Sequence, residues 1–137
     1  MALEDAGLDE IREFFARDRF TAEALGASIV RAERGHAVCE MILADRHVNA
    51  MGNIMGGVIF SLADFALAVS CNIGETSTVA ISNNIRYISK VRGSKLIAES
   101  NVDKTGQAIG FYTVVVRDEL GTLVAIMDAT CYRRADL

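Results

Sequence analysis

The chain contains no proline among its 137 residues and no low-complexity stretch. Linkers between domains are usually rich in proline, glycine or serine, so their absence leaves no place for a domain boundary. We therefore predict a single domain spanning residues 1–137, a length that suffices for a hydrophobic core.

Cysteine and histidine are also scarce. The three cysteines, Cys39, Cys71 and Cys131, are odd in number, far apart and not in a metal-ligand spacing, and there are two histidines. This pattern predicts reduced core cysteines in a cytoplasmic protein. It also predicts no metal site, because no His/Cys/Asp cluster has the spacing of metal ligands.

Positive charge is not in excess. Fourteen Lys and Arg face eighteen Asp and Glu, which gives a net charge of −4 and a pI of about 5.1. Nucleic-acid binding would require a basic face, so it is not expected. The acidic N-terminus, MALEDAGLDE, lacks the basic-then-apolar order of a signal peptide.

The longest apolar stretch begins at Gly56 and reads GGVIFSLADFALAVSCN. It predicts a helix that ends near Asn72 to Gly74 and is apolar on nearly every side, which is typical of a helix enclosed by other elements or by a membrane. Asp64 is the single charge at its centre. A charge at that depth opposes a membrane span. Burying the Asp64 carboxylate without partners would cost several kcal/mol, so its presence in this helix indicates a specific role.

The remaining elements surround this helix. A short amphipathic helix is predicted first, and Gly-containing turns separate the strands that follow. This order predicts an α+β fold in which an antiparallel sheet wraps around one long buried helix. The predicted elements are the helix Leu8–Asp18 and the strands Ala24–Glu33, Ala37–Leu43, Thr78–Ser89, Leu96–Asp103, Ile109–Arg117 and Leu123–Arg133.

Two features near the helix indicate a site. The glycine-rich entry from Gly52 to Gly57 leaves backbone N–H groups uncovered at a helix N-terminus, where negative charge is favoured. The helical neighbours of Asp64, among them Gly57, Ser61 and Ala68, are mostly small and would leave a channel beside the carboxylate.

The run Asn49-x-x-Gly52-x-x-Met55-Gly56-Gly57-x-x-x-x-Leu62-x-Asp64-x-Ala66 resembles the signature of hotdog-fold thioesterases of the phenylacetate-degradation type. The resemblance implies hydrolysis of acyl- or aryl-CoA thioesters by homodimers that commonly pair into tetramers. It implies that Asp64 is the nucleophile or general base, that the Gly56 N–H polarises the carbonyl, and that Asn49 positions substrate or water. No cofactor is expected, since the coenzyme A thioester is the substrate.

This chain departs from the family pattern at Met55, where relatives usually carry histidine. Because the oxyanion contact is a backbone N–H, the change need not abolish the chemistry. Relatives often carry a hydroxyl residue in the strand after the helix, and the alignment places Ala80 there. Ser82, two positions on, is the candidate if both residues face the same way.

Further candidates for substrate binding are Met55, Gly57 and Ser61 around the helix start, and the basic turn that carries Lys90 and Arg92. Lys or Arg at a pocket mouth would hold the phosphates of coenzyme A. For several candidates a structural role is an open alternative. Asn49 could be a turn residue whose side chain hydrogen-bonds the backbone of its own loop. The basic turn could simply be exposed to solvent, and so could His47, which lies in the same loop as Asn49.

The spacing of Gly56 and Asp64 predicts how the site is assembled. Eight helical residues span roughly 12 Å, whereas both groups must lie about 3 Å from one reacting thioester. Two antiparallel helices related by a two-fold axis would bring Asp64 of one subunit opposite Gly56 of the other.

Three functions remain at this point. The first is a thioester hydrolase. The second is a non-catalytic acyl-CoA-binding protein, which Met55 makes plausible and which would bind ligand without turnover. The third is a hotdog dehydratase, which in relatives uses a histidine with the helix acid and is the least favoured, since this chain has only His36 and His47.

Overall fold

The computed structural model describes residues 3–74 and 77–134. Within these ranges the chain forms two α-helices, six strands, a π-helical turn and a short 3₁₀ turn. The helices are α1 (Leu8–Phe15) and α2 (Gly56–Asn72), the π-helical turn is Phe20–Leu25 and the 3₁₀ turn is Asp45–His47. The strands are β1 (Ala27–Glu33), β2 (His36–Ile42), β3 (Thr78–Tyr87), β4 (Lys95–Thr105), β5 (Ile109–Asp118) and β6 (Leu123–Arg133).

The strands form one antiparallel sheet in the order β1-β2-β4-β5-β6-β3, and α2 contacts all six of them. Strands β4 to β6 are the predicted meander, but β3 crosses to the far edge and pairs with β6. The predicted α+β architecture, a sheet wrapped around one long helix, is confirmed. The edge position of β3 was not predicted, because hairpin signals report only pairing between neighbours in sequence.

Helix α2 is the centre of the core. Leu62, Ala63 and Ala66 are fully buried, and the helix begins and ends where the sequence predicts. The prediction that the helix is enclosed on every side is wrong for a single chain. A stripe at helical spacing stays open, and Asp64 is exposed within it. The stripe consists of Gly57, Phe60, Ser61, Asp64 and Ala68.

The N-terminal segment differs from prediction. Helix α1 ends at Phe15 rather than Asp18, and the π-helical turn occupies the place where a strand was predicted to start at Ala24. Gly26 ends this turn in the left-handed region, at φ 68°. The Phe15 ring packs edge-on against Phe65 of α2, with 6.1 Å between centroids, so the segment covers the helix.

The three cysteines are free and buried, as predicted. No helix among the described residues is long and apolar enough to cross a membrane.

Candidate active site

Asp64 lines a cavity of about 420 Å³ between α2 and β3. The opposite wall is β3, the edge strand of the sheet, which has β6 as its one neighbour among the strands of residues 3–74 and 77–134. Its lining residues are Asp64, Leu67, Ala68, Cys71, Thr78, Val79, Ala80 and Asn83. Most are apolar, and the polar side chains among them are those of Asp64, Thr78 and Asn83.

Asn83 supports the acid. Hydrogen bonding by its side chain lowers the pKa of the Asp64 carboxyl, and because a carboxylate only accepts, the donor on Asn83 is the amide NH₂ group. The other amide atom, Oδ1, is buried and has no hydrogen-bond partner within residues 3–74 and 77–134. A buried acceptor without a partner is an exception, because buried polar groups are nearly always hydrogen-bonded.

Ser82 was the residue expected to support Asp64 from this strand, on the assumption that side chains alternate regularly along β3. That alternation is interrupted. The β3–β6 register shifts between Ala80 and Ser82, so Ile81 is an extra residue in β3. Such a bulge reverses which residues face inward. Ala80 and Asn83 therefore lie opposite the buried residues Cys131 and Ala129, whereas Ser82 is exposed and lines no part of the cavity.

The electrostatic surroundings favour a protonatable acid. Partial burial raises the pKa of Asp64 above its usual range, and the negative charge of Asp18 raises it further. The hydrogen bond from Asn83 lowers the pKa, because it stabilises the charged form. The net direction is upward, which makes the carboxylate a stronger base.

A second cavity, of about 360 Å³, lies at the start of α2. It is lined by Asn53, Ile54, Gly56, Ile59, Tyr87, Ile88, Ser89, Lys90 and Val91. Met55 at the N-cap provides no side-chain hydrogen bond, and the N–H groups of Gly56 and Gly57 donate to no acceptor in the described chain. Unpaired N–H groups at a helix N-terminus attract negative charge.

Strand β3 contacts both ends of this helix segment. Asn83 bonds Asp64, and Tyr87 donates its hydroxyl hydrogen to the Gly56 carbonyl at 3.0 Å. Four strand residues span roughly 13 Å and eight helical residues roughly 12 Å. The two intervals match, so one face of β3 holds the acid and the helix start at once.

The other candidates at the helix start have these positions. Met55 is 53% exposed, and its terminal methyl lies beside Gly57, 3.2 Å from where a Cβ on that residue would stand. Gly57 is exposed on the open stripe of α2. The Ser61 hydroxyl donates to the Gly57 carbonyl at 2.7 Å, which places it one turn from Asp64 on the same stripe.

Asn49 is part of a tight loop. Its Oδ1 accepts the N–H groups of Met51 at 2.9 Å and of Asn53 at 3.1 Å. Its amide NH₂ group donates to no acceptor in the chain as described, and the residue is exposed. Asn49 therefore stabilises its own loop through Oδ1, and its amide hydrogens are left to donate to another molecule.

The two basic residues of the turn, Lys90 and Arg92, have different surroundings. Lys90 lines the cavity that contains Gly56, whereas Arg92 does not. The Arg92 N–H instead bonds the buried Asp118 carboxylate at 2.9 Å, which fixes the turn to the β5–β6 connection. The backbone of this turn is thus held in place, with Lys90 on the cavity side.

His47 is buried rather than solvated, which corrects the expectation. Its Nε2 contacts the Ala24 carbonyl at 3.0 Å, and its Nδ1 accepts the Ala44 N–H at 3.0 Å. Both ring nitrogens are engaged with backbone groups, so His47 anchors the loop and is not placed as a base. No group of three His, Cys, Asp or Glu side chains among residues 3–74 and 77–134 is arranged to hold a metal ion.

Comparison with known proteins places these features in a family. Residues 51–132 match the model of the thioesterase superfamily. The acyl-coenzyme A thioesterase PaaI of Escherichia coli is 30% identical over 82% of this chain and 81% of its own length. Human acyl-coenzyme A thioesterase 13 is 28% identical over 86% of this chain and 88% of its own length.

The structural comparison agrees with the sequence comparison. The structure of Escherichia coli PaaI superposes with a TM-score of 0.81 and 26% identity, covering 94% of this chain and 97% of that one. The chain therefore belongs to the thioesterase superfamily and is a hotdog-fold thioester hydrolase related to PaaI.

Proposed function

We propose that this protein hydrolyses acyl-CoA or aryl-CoA thioesters, with Asp64 as the general base or nucleophile and the Gly56 N–H as an oxyanion donor. The observation that carries the proposal is a carboxylate with a raised pKa, held by Asn83 on the wall of an apolar cavity. The two relatives named above are acyl-coenzyme A thioesterases, which supports coenzyme A thioesters as the substrate class.

The chemistry follows from these groups. Asp64, as a base, takes a proton from water while the water oxygen attacks the thioester carbonyl. The carbonyl oxygen gains negative charge and is stabilised by the Gly56 N–H, after which the thiolate of coenzyme A leaves.

We propose further that each site is shared by two subunits. Asp64 and Gly56 line two different cavities, and one helix cannot bring them to the same carbonyl. The open stripe of α2 and the edge strand β3 are both uncovered in a single chain. A homodimer with antiparallel α2 helices covers these surfaces and creates two equivalent sites, and pairing of dimers would give a tetramer.

Other residues act on the rest of the substrate in this proposal. Lys90, on the rim of the helix-start cavity, attracts the phosphates of coenzyme A, with Arg92 two residues away in the same turn. The free amide hydrogens of Asn49 are donors to substrate or water. Met55 supplies an apolar contact where relatives carry an imidazole, so it bears on substrate range rather than on the oxyanion contact.

The test is release of free thiol from short, medium and aryl acyl-CoAs by the native protein and by Asp64→Asn. We expect native turnover and a loss of about a hundredfold or more in the variant, the order expected when a base or nucleophile is removed. Asp103→Asn is the control, since its carboxylate bonds Thr113 on the sheet and lines neither cavity.

Two results would contradict the proposal. Binding of acyl-CoA without turnover by the native protein would make this a non-catalytic acyl-CoA-binding protein, with Met55 marking the loss of activity. Equal turnover by native protein and Asp64→Asn would remove Asp64 from the chemistry.

A further inference from the structure

The first turn of α2 has little in its own sequence to fix it. Gly56 and Gly57 open the helix, and glycine is a poor helix former because its backbone has the most freedom to lose. Met55 at the N-cap has no side-chain oxygen to accept an N–H of the first turn, and it makes no capping bond. Backbone bonds from the N–H groups of Val58 and Ile59 to the Met55 carbonyl close this turn, and a contact from outside the helix can add to them.

Tyr87 makes such a contact from the sheet. Its hydroxyl donates to the Gly56 carbonyl at 3.0 Å, and its ring lies against the Gly56 backbone. A Cβ at residue 56 would come within 3.3 Å of the ring carbon Cζ, which shows how close the approach is. Tyr87 is the last residue of β3 and pairs with Ala125 of β6, so this contact ties the helix start to the sheet.

We propose that Tyr87 is a positioning residue for the thioesterase site: its phenol orients and polarises the peptide between Gly56 and Gly57. The carbonyl of Gly56 and the N–H of Gly57 belong to the same peptide group. A hydrogen bond donated to that carbonyl draws electron density to the oxygen, and the N–H becomes a stronger donor. The inference rests on the proposed oxyanion role of this helix start and adds Gly57 as a second, strengthened donor.

The position of Tyr87 agrees with this role. It lines the same cavity as Gly56 and Lys90, and the Gly57 N–H has no acceptor in the described ranges. Because Tyr87 acts through a peptide and not on the substrate, its loss should slow the chemical step and leave substrate binding unchanged.

The decisive variant is Tyr87→Phe, which keeps the ring against Gly56 and removes only the hydroxyl. We expect kcat for acyl-CoA hydrolysis to fall about two- to tenfold, the range set by the net worth of one hydrogen bond, with KM unchanged. Tyr132→Phe is the matched control. Its phenol is 44% exposed, against 52% for Tyr87, and it lines neither cavity. We expect native kcat and KM in this control.

A second measurement separates polarisation from packing. Site-specific replacement of Tyr87 by 3-fluorotyrosine makes the phenol more acidic and so a stronger donor. At a pH where the fluorinated phenol keeps its proton, kcat should rise in the order Phe, Tyr, 3-fluorotyrosine. This series also decides the question if Tyr87→Phe does not fold.

The outcomes are distinct. Three results would overturn this inference alone, provided that the native protein turns over substrate. They are an unchanged kcat in Tyr87→Phe, a change confined to KM, and a kcat that does not vary with the acidity of the phenol. Absence of turnover by the native protein would overturn the proposed function, and this inference with it.

Discussion

The sharpest consequence of the structure concerns the distance between Asp64 and Gly56. The two residues line different cavities and lie roughly 12 Å apart along α2. If one thioester needs both, an active site must take Asp64 from one subunit and Gly56 from the other. Two inactive variants, one at each residue, should then restore activity when their subunits mix.

Gly56→Pro is a clean way to remove the proposed oxyanion donor. Proline has no N–H, and the first helical position tolerates it because that N–H has no helical partner. Met55 has φ −63° and ψ 135°, the extended conformation that a residue before proline prefers. Gly56→Ala is the matched control. It adds the same Cβ beside Tyr87 but keeps the N–H.

The magnitudes follow from the chemistry and from the symmetry. Loss of one oxyanion donor lowers kcat by about 10² to 10³. Gly56→Ala keeps the N–H, so it should stay within about tenfold of the native rate, the most that disturbing the Tyr87 contact would cost. On the proposed mechanism, Asp64→Asn should also be nearly inactive. In an equal mixture of Asp64→Asn and Gly56→Pro subunits, about half of the dimers are mixed, and each mixed dimer has one site free of both changes. The expected activity is about a quarter of the native value.

The assay is thiol release from acyl-CoA after the two variants are unfolded together and refolded at equal concentration. Each variant refolded alone gives the background, and refolded native protein sets the full value. A mixture no more active than the separate variants would refute the shared site, because sites contained within one subunit cannot be restored by mixing. Full activity of a strictly monomeric native protein would refute it as well.

Two further predictions rest on single side chains. In Asn83→Ala the hydrogen bond that lowers the pKa of Asp64 is lost, so the acidic limb of the kcat/KM pH profile should move to higher pH; a limb that moves no further than in Asn84→Ala, its exposed neighbour on β3, would contradict the assignment. Burial alone would raise the pKa of Asp118, but N–H groups of Arg92, Thr122 and Gly93 hold it well below its usual range. The stability that the charged Asp118 contributes is therefore present above about pH 4 and is lost as the pH falls further. Thermal unfolding of Asp118→Asn should depend less on pH in this acidic range than that of native protein, with the exposed Asp128→Asn as control; an equal dependence would exclude this role.

Much of the fold was predictable from the sequence, because its signals are local. The apolar run of α2 and the glycines before it predict the helix from Gly56 to Asn72. Gly-containing turns predict the β4–β5–β6 meander. The π-helical turn after α1 was missed, since its apolar residues are compatible with the start of a strand.

The part of the candidate site that lies on helix α2 was predictable from the sequence. Asp64 and Gly56 lie at a fixed helical spacing, so their separation follows from the sequence. The buried role of His47 was not predictable, because both of its hydrogen bonds go to backbone groups, one of them 23 residues away in sequence. Nothing local marks such a partner.

The sequence by itself determined the long apolar helix, its single acid and the glycines at its start. Tertiary structure alone decided what touches them. The bulge at Ile81 turns Asn83 rather than Ser82 toward Asp64, and the placement of β3 at the sheet edge brings Tyr87 to Gly56. The physical reason is that side-chain direction in a strand has a period of two, so one extra residue, set by pairing with β6, reverses every assignment that follows it.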